Sequence, residues 1–112
     1  MSDIETLIKE INSFRDERDW RQFHNPKDLA LSLSLEAAEL LENFQWKTSK
    51  EAVQTNLEDI KDEIADVLVY SLMLCSDLDV DPLKITQAKL KKNKENYPVG
   101  KAKGNKAKYS EL

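Results

Sequence analysis

Apolar residues recur at helical steps along almost the whole chain. From Asp3 to about Arg18, Ile4, Leu7, Ile8, Ile11 and Phe14 fall at steps of three and four, which predicts an amphipathic helix with one buried stripe. A connection carrying Trp20, Phe23 and His24 leads to Asn25-Pro26, a capping residue followed by a proline suited to the first helical position. His24, the one histidine, fits a loop or capping role better than catalysis. The second helix is expected from Pro26 to about Trp46, with Leu29, Leu31, Leu33, Leu35, Leu40, Leu41 and Phe44 spread over more than one face. Thr48-Ser49-Lys50-Glu51 supplies a break and a new cap at Thr48 or Ser49. A third helix follows from about Lys50 to Asp77, polar at first and almost wholly apolar from Ile64 to Leu78. Asp81 then caps a fourth helix that begins at Pro82 and reaches about Asn96. Tyr97-Pro98-Val99-Gly100 ends it, and the Lys, Gly, Asn and Ala content from Lys101 onward predicts a poorly ordered tail unless a ligand or partner fixes it.

The expected fold is therefore all-α, one domain over residues 1–112 with about four helices in a bundle. Two glycines and three prolines leave little punctuation for strands and turns. A helix that is apolar on all sides is one covered on all sides. In a chain this short, two such helices imply burial against another copy, so a homodimer or larger symmetric assembly is expected.

Composition narrows the function. No run of about 18 apolar residues is present, and no basic segment followed by an apolar one opens the chain, so neither a membrane span nor a signal peptide is expected. The single Cys75 cannot form an internal disulfide and suits a reducing, cytoplasmic compartment. The net charge of -4 conceals an asymmetry: residues 1–81 hold 8 Lys or Arg against 19 Asp or Glu, whereas residues 82–112 hold 9 Lys against Glu95 and Glu111. An acidic body suits cations and a basic end suits anions. The acidic body and the lack of a recognised binding motif argue against nucleic acid as a partner.

Two acidic pairs concentrate the candidate chemistry. Glu36-Ala-Ala-Glu39 and Glu63-Ile-Ala-Asp66 each place two carboxylates one helical turn apart within an apolar stretch. Asp66 is expected to point into a largely buried interior, where a carboxylate costs several kcal/mol unless it is paired, protonated or bound to a cation. Other acidic pairs at the same spacing, Glu39 with Glu42 and Asp59 with Asp62 among them, read as solvated helix faces. Oxygen ligands without nearby His or Cys select a hard cation, so Mg2+ is the expected occupant, with Mn2+ able to substitute. The absence of a Glu-x-x-His motif argues against a di-iron bundle. Because Mg2+ commonly takes phosphate oxygens as further ligands, Lys89 and Asn93, four residues apart, become candidates to face a phosphate chain. Tyr70 extends the Asp66 face by one turn, and Trp46 is placed to stack on a base.

These residues together carry a family resemblance. Glu17-Arg18-Asp19-Trp20, Phe23-His24-Asn25-Pro26-Lys27, Glu36-Ala37-Ala38-Glu39-Leu40, Phe44-Gln45-Trp46, Glu63-Ile64-Ala65-Asp66 with Tyr70, and Lys89 through Asn93 to Tyr97-Pro98 resemble the MazG-like all-α nucleoside triphosphate pyrophosphohydrolases, and most of all their dCTP pyrophosphatase branch. The resemblance implies a helical bundle assembled as a dimer, or as a dimer-of-dimers tetramer. It implies hydrolysis of a nucleoside triphosphate to the monophosphate and pyrophosphate, with Glu36, Glu39, Glu63 and Asp66 holding Mg2+. It further implies that Trp46 and Tyr70 contact the nucleoside, that Lys89 and Asn93 bind phosphates, and that Trp20 lies at the base pocket. Glu36 and Glu39 are both candidates for the general base. A histidine that some dCTP-preferring relatives carry in the first helix falls at about Ile11 here, so the preferred base does not follow. Two other classes remain open: a nucleotide-binding regulator without hydrolysis, and a structural helical oligomer whose carboxylates are merely salt-bridged.

Overall fold

A computed structural model describes residues 2–112. Among them the secondary structure is entirely helical: α1 (Asp3–Glu17), α2 (Pro26–Glu42), α3 (Ser49–Asp77), α4 (Pro82–Asn96) and the short α5 (Val99–Ala102), with 3-10 turns at Arg21–Phe23 and Tyr109–Glu111. No helix among the described residues is long and apolar enough to cross a membrane. The chain divides into two compact units, one ending at Val80 and the other covering Asp81–Leu112.

Local chemistry sets most of the helix starts. Ser2 Oγ accepts the Glu5 amide at 3.1 Å and Asn25 Oδ1 accepts the Asp28 amide at 2.9 Å, with Pro26 in the first turn of α2. Thr48 Oγ1 accepts the Glu51 amide at 3.1 Å while its hydroxyl faces Glu51 Oε1 at 3.1 Å, so Thr48, not Ser49, is the cap. Asp81 Oδ1 accepts the amides of Leu83 and Lys84 at 2.9 and 3.2 Å. The ends of α1 and α3 share one device. Asp19 and Asp79 take left-handed φ values of 53° and 54°, and the next amides, of Trp20 and Val80, donate back to the Arg15 and Cys75 carbonyls at 2.9 Å.

In the first unit α2 packs along α3, and α1 closes over α3. Ile11 of α1, Leu29 of α2 and Met73 of α3 form the buried centre, with Val69, Tyr70, Leu72 and Leu74 packed against it. One charged residue shares this interior. Arg15, four residues after Ile11, is fully buried, and its guanidinium donates to both oxygens of Asp77 at 3.0 and 2.5 Å. That bond holds the Asp77 carboxyl below its ordinary range. Burial and the neighbouring Arg15 charge lower the His24 imidazole, whose Nδ1 lies 3.3 Å from Arg15 Nη1.

Three expectations need correction. Helix α2 stops at Glu42 rather than near Trp46, because Asn43 turns its amide onto the Glu39 and Leu40 carbonyls at 3.3 and 3.5 Å and the following amides bond three residues back. Helix α3 is kinked at Asn56 (φ -120°, ψ 18°), whose side-chain amide donates to the Asn43 carbonyl at 2.8 Å. The apolar half of α3 is not covered on all sides within one chain: Ile64, Asp66 and Leu68 are exposed, as are Leu31, Leu35 and Leu41 of α2. In the second unit, residues beyond Tyr97 carry structure that their composition does not predict. They form α5 and a terminal 3-10 turn, with the Tyr97 and Tyr109 rings edge-to-face at 6.0 Å.

Candidate functional site

Packing of α2 along α3 brings Glu36 and Glu39 up to Glu63. Carboxylate oxygens of Glu36, Glu39 and Glu63 lie within 4.8 Å of one another, Glu36 and Glu63 half-buried and Glu39 exposed. Asp66, expected to be buried, is exposed and lies outside this close group, on a face of α3 that the packing of α1 and α2 leaves open. Its charge still acts on both Glu36 and Glu63.

The group is electrostatically incomplete. Glu36 Oε2 and Glu63 Oε2 are buried and no donor reaches them, since their neighbours are carboxylates, which accept hydrogen bonds and do not donate them. Without a cation a proton fills part of the gap. A hydrogen bond toward Glu63 raises Glu36 to about 7, and burial and the Glu39 charge act in the same direction. On Glu63 the bond from Glu36 works downward, yet burial and the charges of Glu39 and Asp66 outweigh it and leave the group raised. A divalent cation with oxygen preference would meet the same deficit. Buried, donorless carboxylate oxygens on two helices fit such an ion.

A pH dependence follows for the metal-free protein. Between the ordinary glutamate value of 4.5 and about 7, the folded state retains a proton at Glu36 that the unfolded chain has released. The folded state binds the extra proton, so this group's contribution to stability falls as pH rises through that window. His24 acts oppositely: with its pKa lowered from 6.5, its contribution is lost as pH falls below that value. Melting temperatures in chelator across pH 4.5 to 7 should therefore decline less steeply with rising pH in Glu36→Gln than in the parent. Added Mg2+ should raise the parent's melting temperature most at the upper end.

Glu39 and Glu63 also line a cleft of about 450 Å3 with Glu42, Asn43, Asn56, Asp59 and Asp62. The spacing of Glu42, Asp59 and Asp62 predicts solvated faces. They are exposed, but the α2–α3 packing gathers them beside the first pair. The available signal was register: Glu42 lies one turn beyond Glu39, and Asp59 one turn before Glu63.

The other candidates have separate settings. Trp46 is 93% exposed at a left-handed φ of 62°. Tyr70 is half-buried against the Ile11–Leu29–Met73 centre. Trp20, 40% exposed, stands edge-on to Phe14 at 5.4 Å, and the Arg18 guanidinium lies over the Phe14 ring at 4.0 Å. Lys89 and Asn93 share a face of α4 in the second unit, Lys89 exposed and Asn93 half-buried.

Comparison with known proteins agrees with this architecture. Residues 31–112 match the MazG-like family. The chain is 36% identical over its whole length to dCTP pyrophosphatase 1 of Rattus norvegicus and 37% identical to that of Homo sapiens, covering 67% of each. The crystal structure of a pyrophosphatase from Archaeoglobus fulgidus superposes with a TM-score of 0.83 at 40% identity, over 88% of this chain and 94% of that one. With its paired carboxylates on two packed helices and a family match over most of its length, this chain belongs to the MazG-like family.

Proposed function

We propose that the chain is a Mg2+-dependent nucleoside triphosphate pyrophosphohydrolase that acts on dCTP or a modified, non-canonical deoxynucleoside triphosphate and releases the monophosphate and pyrophosphate. The observation that carries this reading is the pair of buried, donorless oxygens of Glu36 and Glu63 beside Glu39. The pyrophosphatase relatives give the reaction class. Charge supports a cation: five carboxylates line the neighbouring cleft, and they repel a triphosphate unless positive charge intervenes.

Glu36, Glu39 and Glu63 would hold Mg2+, with Asp66 completing the set. When bound, the ion screens the charge that develops on the phosphate oxygens and orients the triphosphate. Glu36 or Glu39 accepts the proton of the water that attacks the α-phosphorus. The bond from that phosphorus to the α–β bridging oxygen breaks, and pyrophosphate leaves. Lys89 and Asn93 bind phosphate oxygens, and Trp46 and Trp20 meet the nucleoside. The exposure of the Trp46 ring supports a stacking role, whereas the part assigned to Tyr70 rests on the resemblance. A second copy would cover Leu31, Leu35, Leu41, Ile64 and Leu68, giving a homodimer or a tetramer built from two such pairs. A reducing cytoplasm suits Cys75.

Purified protein with Mg2+ and dCTP should yield pyrophosphate and dCMP in equal amounts, and no orthophosphate. A panel of canonical and modified deoxynucleoside triphosphates, each with Mg2+ or Mn2+, identifies the preferred base. Binding of every nucleotide without product would overturn the hydrolase reading in favour of a regulator. No binding, together with melting unaffected by chelator, would favour the structural oligomer.

A further inference from the structure

Arg15 is fully buried, and the reaction described above makes no use of it. Its contacts span three elements. Nε donates to Asn12 Oδ1 at 3.0 Å within α1, and the Asn12 amide donates on to Ser76 Oγ of α3 at 3.0 Å. The two terminal nitrogens grip Asp77, the last residue of α3, at 3.0 and 2.5 Å. One of them also lies 3.3 Å from His24 Nδ1, two residues before α2 begins. The main chain of Arg15 takes part as well, because its carbonyl accepts the Trp20 amide at 2.9 Å.

The connection from Asp19 to His24 is thus held at its Trp20 end by the main-chain bond that closes α1, and at its His24 end by the Arg15 side chain. Between these points Arg21 pairs with Asp16 at 2.6 Å and approaches Asp77 at 3.9 Å. The ring carried by this clamped segment is Trp20, supported edge-on by Phe14 and partly open to solvent. A core that needed only stability could replace Arg15 and Asp77 together by apolar side chains at little or no cost. What an apolar side chain cannot supply is a planar fork whose donors fix the directions of three neighbours at once.

Resting on the proposed contact between Trp20 and the nucleobase, we infer that Arg15, together with Asp77 and His24, is a positioning device that sets the Trp20 ring for the base. Base affinity is then controlled from a buried ion pair separate from the carboxylates that hold the cation. Arg15 and its partners touch no substrate atom in this scheme; they act through the backbone of the connection.

Three variants test it. Arg15→Met keeps approximate volume and removes the fork, leaving Asp77 hydrated and near Arg21. Arg15→Lys restores a charge for Asp77 but cannot reach Asn12, Asp77 and His24 together. His24→Leu cuts the far anchor alone and leaves the ion pair in place. With dCTP and Mg2+, Arg15→Met should raise KM about tenfold and keep kcat within about twofold. Arg15→Lys should recover thermal stability while its KM stays at least about fivefold raised, and His24→Leu should raise KM about threefold. In a Trp46→Phe background Trp20 is the only tryptophan, and Arg15→Met should increase its quenching by iodide and shift its emission to the red.

Unchanged KM and unchanged Trp20 quenching in a folded Arg15→Met variant overturn the inference. So does a KM that returns to the parent value in Arg15→Lys along with stability, which is the behaviour of a purely structural residue. If Arg15→Met does not fold, Arg15→Lys and His24→Leu decide by the same criteria. Trp20→Ala separates the two levels. A raised KM there with inert Arg15 and His24 variants overturns the positioning role alone, whereas an unchanged KM removes the base contact and the inference with it.

Discussion

Glu63→Gln should abolish turnover and leave a folded protein that, without metal, melts at a higher temperature than the parent. The two effects have one origin. Glu63 is half-buried beside Glu36, near the charges of Glu39 and Asp66, and its buried Oε2 has no donor among the described residues. A glutamine is nearly the same size, cannot carry the charge, and brings an amide that can donate to Glu36. On the proposed reading, Glu63 is one of the anionic ligands of the cation, and its loss would weaken a stabilisation of developing charge worth several kcal/mol. Loss of about 3 kcal/mol of it lowers kcat by roughly 100-fold or more. The measurement is pyrophosphate release at saturating Mg2+ and dCTP, alongside melting in chelator at pH 7. A variant that loses activity by failing to fold would assign Glu63 a structural role instead.

Asp77→Asn should be strongly destabilising, because among the ion pairs of the described residues Arg15–Asp77 is the one with a fully buried member. The substitution leaves the Arg15 guanidinium fully buried without its counter-ion. Breaking a buried pair from one side costs about 3 to 5 kcal/mol, and the lower figure applies here because the Asp77 side chain is 20% exposed and water can reach the gap. Arg15→Met should cost clearly less, since the carboxylate it leaves behind can be hydrated. Urea unfolding of both variants measures the difference, and equal costs would contradict the asymmetry of burial. The pair also contributes to acid sensitivity. Asp77 is held below its ordinary value of 3.8, so its stabilisation is present above that value and disappears as pH falls through its lowered folded value.

Features of this fold that were legible in the sequence are those decided within a few residues. Asn25-Pro26, Thr48 with Glu51, and Asp81-Pro82 each satisfy amides in the turn they open, so the starts of α2, α3 and α4 follow from local chemistry. The approach of Glu36 and Glu39 to Glu63 was legible too, because both pairs lie in apolar helical stretches that have to pack. Features decided across the fold were not. The end of α2 depends on Asn43 turning onto carbonyls behind it, and the kink at Asn56 depends on the carbonyl of Asn43 being near. Neither carries a glycine or proline to mark it. Arg15 continues the spacing of Ile8 and Ile11 on the buried stripe of α1, but its partner is 62 residues away and no local pattern points to it. The apolar neighbours of Asp66 predict an interior, but Ile64 and Leu68 are themselves exposed in a single chain.

Trp46 occupies a position that the fold by itself does not favour. A bulky side chain at a φ of 62° occupies a backbone region that costs about 1 to 2 kcal/mol for any residue with a β-carbon, and glycine would occupy it without penalty. The ring recovers little of that cost by packing, since it is almost wholly in water. Selection for robustness alone would therefore replace it. A library screened only for heat resistance should drift toward glycine or asparagine at this position, while one screened for nucleotide turnover should keep the indole.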